Sequence, residues 1–230
     1  WLVVVGAIII QLCLGAIYAW SVFTPSLKEA GWTYTETQWV FAVGLASFAV
    51  IMVWAGFRLK DLGPRKLAIA SAIVLGLGYA LAGLFGGTNF WAILILIGLV
   101  GGAGIGLGYV VPIAVGMRWF PDRKGMITGL AVAGFGFGAM AWVKLAGSWG
   151  HLIETFGLST TFTVYGIAFA ILVIIGGTWM VFPPEGWKPE GYSPPDAASG
   201  KANGAVSFSS REMLSTPQFY LIFLTFTIGA

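Results

Sequence analysis

The sequence predicts an all-α integral membrane protein that crosses a bilayer six times and begins a seventh crossing. Three observations predict it: the scarcity of charge, the length of the uncharged stretches, and the grouping of the basic residues between them. The chain of 230 residues is 58% hydrophobic and only 9% charged. A water-soluble domain carries roughly a quarter charged residues, so this composition cannot clothe a surface facing water.

The uncharged stretches give the elements in order. No Asp, Glu, Lys or Arg occurs in residues 1–27, 37–57, 67–117, 125–143 or 155–184. Crossing about 30 Å of hydrocarbon as a helix takes roughly 20 apolar residues. Each stretch therefore supplies one span, except 67–117, which supplies two, divided by the turn-forming Gly86-Gly87-Thr88-Asn89. Residues 219–230 read as the start of the seventh. The first span exceeds a signal-peptide core and is expected to remain in the mature protein.

Basic residues fix the orientation. Arg58, Lys60, Arg65 and Lys66 follow the second span, Arg118, Arg123 and Lys124 the fourth, and Lys188, Lys201 and Arg211 the sixth. These loops share one side, and the positive-inside bias makes that side, and the N-terminus, cytoplasmic. Only Lys28 and Lys144 lie elsewhere. A net charge of +3 spread in this way points to lipid, not to nucleic acid.

Residues 183–217, with Pro183, Pro184, Pro189, Pro194, Pro195 and Pro217, are too polar and proline-rich to span. They read as a cytoplasmic linker, in which 207–216 is expected to form a short surface helix capped by Ser209 or Ser210. The predicted organisation is a six-helix bundle over 1–182, the linker over 183–217, and the start of a second bundle over 218–230. Glycines recur at four-residue spacing, at Gly102–Gly106, Gly104–Gly108, Gly125–Gly129 and Gly134–Gly138. Small residues so spaced let helix backbones approach closely in lipid.

Enzymatic readings find no support. Cys13 is alone, which excludes a disulfide framework and a thiolate metal cage. No metal-ligand cluster, Ser/His/Asp group or phosphate-cradling loop stands in the spans, so no cofactor or metal is expected. The glycines of the fourth span lack the βαβ setting of a dinucleotide site. His151, the only histidine, falls in an outer loop and reads as a surface residue.

Two motifs carry a family resemblance. Gly56-Phe-Arg-Leu-Lys-Asp61-Leu-Gly63-Pro64-Arg65-Lys66 resembles the signature loop of the major facilitator superfamily, although Leu62 replaces the usual basic residue. Its glycines allow tight helix ends, and Asp61 can pair with an arginine or a helix N-terminus. The resemblance implies a conformational latch at Gly56, Asp61, Gly63 and Arg65. It also implies an N-terminal bundle of two inverted three-helix repeats, working by alternating access against a second bundle.

The segment from Arg118-Trp-Phe-Pro-Asp-Arg-Lys-Gly to Ala133-Gly134 is similar to the fourth-to-fifth-helix segment of monocarboxylate transporters and oxalate/formate antiporters. Gly15-Ala-Ile-Tyr18-Ala-Trp20-Ser21-Val-Phe23, with Pro25 and Gly31-Trp32, is similar to the antiporter branch. That likeness implies that Tyr18, Tyr109 and Phe135 line a substrate cavity. Gln11 lies seven residues before Tyr18, on roughly the same helix face.

The spans hold no carboxylate. Lys144, near the outer end of the fifth, is expected to snorkel to the interface. Ser21 and Val22 stand where mammalian monocarboxylate carriers place a lysine. The likeness implies that the substrate-binding arginine stands on an eighth helix, in a C-terminal half of the same protein. The expected function is plasma-membrane transport of a small organic anion (in a bacterium, at the inner membrane), as proton-coupled symport of a lactate- or pyruvate-type monocarboxylate. Oxalate/formate-type antiport and a non-transporting sensor on the same scaffold are the alternatives.

Overall fold

The computed structural model of the chain describes residues 1–189 and 210–229. Their regular structure is helical, with no strand among them. Among the described residues, six helices are long and apolar enough to cross a membrane: α1 Leu2–Glu29, α2 Tyr34–Leu62, α3 Pro64–Gly86, α4 Phe90–Trp119, α5 Lys124–Ala146 and α6 Leu152–Thr178. They belong to one compact unit, Trp1–Pro189. A second unit, Glu190–Ala230, contains the short helices α7 Ser210–Leu214 and α8 Pro217–Gly229. The helix expected over 207–216 is described only from Ser210 onward; Ser209 lies outside the described residues.

Local chemistry sets the helix ends. The middle of α1 tightens into a 3-10 stretch over Gly15–Phe23. α2 opens with a capping box, in which the Thr33 N–H donates to Glu36 Oε2 at 2.7 Å and the Glu36 N–H to Thr33 Oγ1 at 3.2 Å. It stops at Gly63, whose φ of +81° suits a residue without Cβ, and Pro64 then starts α3 with its φ already helical. Asn89 caps α4 by accepting from the Ala92 N–H at 3.0 Å. Pro112 sits inside α4, and without an N–H it leaves the Gly108 carbonyl without its intrahelical donor.

The packing repeats itself. α1 packs on α5 and α6, α4 packs on α2 and α3, and α3 packs on α6. Exchanging α1–α3 with α4–α6 maps this pattern onto itself, and three crossings in each set make α4–α6 inverted relative to α1–α3. Glycines mark the corresponding contacts. A Cβ on Gly15 would collide with the Phe135 carbonyl across α1–α5, and one on Gly102 with the Gly44 carbonyl across α4–α2. Gly138 meets the Leu12 carbonyl in the same way. The expectation of a close contact at Gly125–Gly129 is corrected: both face open space, because this end of α5 turns them away from the bundle.

The core is aromatic. Trp20 and Phe23 of α1, Tyr79 of α3, Trp142 of α5 and Phe162, Tyr165 and Phe169 of α6 are buried together. Their rings meet mostly edge to face, at centroid separations such as 4.8 Å for Phe23–Phe162 and 4.7 Å for Trp142–Phe169, a favoured aromatic geometry.

Candidate functional site: an open aromatic face at mid-span

A second aromatic group forms near the middle of the spans. Tyr18 meets Phe135 edge to face at 5.7 Å, and Phe135 meets Tyr109 at 5.2 Å. Three residues expected from the sequence to share a cavity thus stand together. The glycine contacts explain how. Gly15 lets the Phe135 backbone of α5 close onto α1, and Gly106 lets α4 close onto the Phe48 carbonyl of α2.

Two further rings complete the group. Phe48 lies 5.2 Å from Tyr109 and 6.4 Å from Phe135, and Phe41 lies 6.1 Å from Tyr18. Both come from α2 and escaped the sequence reading. Their seven-residue separation, two helical turns on one face, was the available signal.

This face is partly open. Tyr18 is 51% exposed, Tyr109 is half-buried, and Phe135 is 8% exposed. Among the described residues, neither the Tyr18 nor the Tyr109 hydroxyl has a protein hydrogen-bond partner. Two phenolic donors therefore stand in an otherwise apolar wall. Gln11 lies beneath, fully buried; its Nε2 donates to the Tyr109 carbonyl at 3.5 Å, beside the turn that Pro112 opens. Among the described residues, its Oε1 is a buried side-chain acceptor without a partner. Buried polar groups are rarely left unpaired, so Gln11 stands out from Ser47 and Ser71, which donate to the Leu99 and Gly104 carbonyls.

The expected latch residues occupy the α2–α3 end. Gly63 makes the turn. Arg65 Nη2 donates to the Thr178 carbonyl at 2.6 Å, closing the end of α6. Asp61 pairs with Arg58 one turn back on its own helix at 3.6 Å, both exposed, and Gly56 has open space around it. At the next basic end, the Arg118 guanidinium lies 3.8 Å over the Phe182 ring. Lys144 is exposed in the last turn of α5. His151, at φ +46°, is exposed and bonds Glu154 at 2.9 Å. No group of His, Cys, Asp and Glu among the described residues could hold a metal ion.

Six apolar helices in two matching sets of three, with an aromatic face at mid-span, define a multi-pass helical membrane protein built on an internal repeat. The chain belongs to the Major Facilitator Superfamily, whose family profile matches residues 4–230. It is 29% identical to the "Uncharacterized MFS-type transporter YhjX" of Escherichia coli (strain K12), over 98% of this chain and 53% of that protein. It is 26% identical to the oxalate:formate antiporter of Oxalobacter formigenes, over 98% of this chain and 51% of the relative. With human monocarboxylate transporter 14 the identity is 23%, over 95% of this chain and 41% of the relative. The chain spans about half the length of the first two.

Proposed function

We propose that this chain is the N-terminal bundle of a secondary transporter that carries small carboxylates by alternating access, as proton-coupled symport of a lactate- or pyruvate-type monocarboxylate. The observation that carries the reading is the open mid-span face of Tyr18, Phe48, Tyr109 and Phe135 with its two unpaired phenol hydroxyls. Such a wall suits a substrate with one charged and one apolar end. The hydroxyls donate to the carboxylate, and Phe135 and Phe48 meet the hydrocarbon end. Gln11 lies under the same face and supplies a further acceptor when the helices shift.

No cation stands at mid-span among the described residues, so the counter-charge comes from the other half of the protein. Bundle and partner half rock about this face. Asp61, exposed beside Gly56, exchanges Arg58 for a partner on that half in one of the two states. The N-terminus and the basic loops are cytoplasmic, and the protein sits in the plasma membrane, the inner membrane in a bacterium.

Reconstitution of the full-length protein tests this. Uptake of labelled lactate should rise several-fold when the outside is made acidic. Uptake that ignores the imposed gradient overturns symport, and the absence of uptake of any small carboxylate overturns the reading as a whole. Oxalate–formate antiport is the second reading, favoured by the match to the Oxalobacter formigenes antiporter along nearly all of this chain. Trans-stimulated oxalate–formate exchange would select it.

A further inference from the structure

At the end of the bundle opposite the basic loops, the first turns of α2 and α4 leave a groove of about 580 Å³ between them. Thr33 and Glu36 form its rim, Trp39 and Trp91 its walls, and Val43 and Leu94 its apolar end. From Glu36 to Val43 the helix rises about 10 Å, so polarity falls along the groove as it does from the headgroup to the chains of a lipid. Trp39 and Trp91 are 57% and 67% exposed. Neither indole N–H has a protein acceptor among the described residues.

The groove does not belong to the aromatic face. Trp39 and Phe41 are two residues apart on α2, hence about 200° apart around the helix. On the function proposed above, on which this inference rests, a groove wall turned away from the substrate path is available to the bilayer. Its charge selects the occupant. Glu36 is the one charged side chain among the groove's lining residues. Its Oε2 accepts from both the Thr33 N–H and the Thr33 hydroxyl, each at 2.7 Å, which leaves Oε1 and the negative charge at the rim. Indole faces attract cations, and an ammonium headgroup carries N–H donors for a carboxylate.

We propose that this groove binds a bilayer phospholipid whose headgroup ends in a primary ammonium. The ammonium lies between Glu36 and the two indoles, the phosphate accepts from the indole N–H groups, and an acyl chain lies along Val43 and Leu94. A lipid whose headgroup is anionic overall meets Glu36 with like charge and is excluded.

The test is native mass spectrometry of the full-length protein released from vesicles containing equal phosphatidylethanolamine and phosphatidylglycerol. The wild type should retain the ethanolamine lipid with about tenfold preference, in line with a cation–π contact joined to an ion pair. Glu36→Gln keeps the helix cap, since glutamine serves at this position of a capping box. It should bring the preference close to one with an unchanged melting temperature. Trp39→Leu with Trp91→Leu should lose the retained lipid. Equal retention of both lipids by the wild type, or a preference that survives Glu36→Gln, would overturn the proposal. So would cross-linking of Val43→Cys to the C-terminal half of the protein, because protein would then fill the groove.

Discussion

Two clusters of aromatic rings lie in this bundle, with similar ring spacings and opposite environments. In the buried one, the indole N–H of Trp20 donates to the Thr37 carbonyl at 2.8 Å, and that of Trp142 to the Leu12 carbonyl at 2.9 Å. The Tyr165 hydroxyl donates to the Trp142 carbonyl. In the open one, Tyr18 and Tyr109 keep unpaired hydroxyls toward a free surface. Ring content therefore does not distinguish a core from a site. What distinguishes them is whether a polar atom left over on a ring is sealed in or open: Tyr79, whose hydroxyl has no hydrogen-bond partner among the described residues, is 4% exposed, whereas Tyr18 is 51% exposed.

The largest effect that could break this comparison is on stability. Phe162→Ala or Trp142→Ala removes a buried ring between several helices and should cost about 3–5 kcal/mol, the range for such truncations in packed cores. Tyr18→Ala, at a half-open surface, should cost within about 0.5 kcal/mol. Reversible unfolding in detergent micelles measures both. A Tyr18→Ala loss as large as that of Trp142→Ala would make the open cluster simply more core.

Single hydroxyls sharpen the contrast. Tyr165→Phe leaves the Trp142 carbonyl without its donor and should lower stability by about 0.6–1.7 kcal/mol, the scale of interhelical hydrogen bonds in membranes, with uptake kinetics unchanged. Tyr109→Phe should do the reverse. The unfolding midpoint should hold, while initial carboxylate uptake falls about tenfold, as for one lost hydrogen bond to a charged group. Gln11→Leu extends the logic below the surface. The exchange removes the orphan oxygen but also the long Nε2 bond to the Tyr109 carbonyl, so the two effects oppose each other and stability should stay within about 1 kcal/mol of the wild type while transport declines.

The sequence disclosed one side of this comparison better than the other. The six spans follow from charge gaps alone, because hydrocarbon tolerates so few charges. Motif likeness groups Tyr18, Tyr109 and Phe135, whose rings meet in the fold. Phe41 and Phe48 were missed, because α2 is apolar nearly all round and shows no polar stripe to tell a lipid face from a cavity face. The same lack of contrast misled the reading of Gly125–Gly129: spacing shows that a helix can be approached closely, not from which side. The tie between Arg65 and the end of α6 joins residues far apart in the chain, and no local signal reports it.

The smallest expected effect separates two charged residues of one loop. Arg65 donates to the last turn of α6, where the terminal carbonyls lack intrahelical donors and the helix dipole favours a cation. Arg65→Met should therefore lower bundle stability by about 1 kcal/mol. Among the described residues, Asp61 bonds only an exposed arginine on its own helix, and exposed pairs of this kind contribute little. Asp61→Asn should leave the melting temperature unchanged and yet slow transport, because its proposed partner lies on the other half of the protein. A matching loss of stability in both variants would show that the loop is a structural clamp, with no separate part in switching.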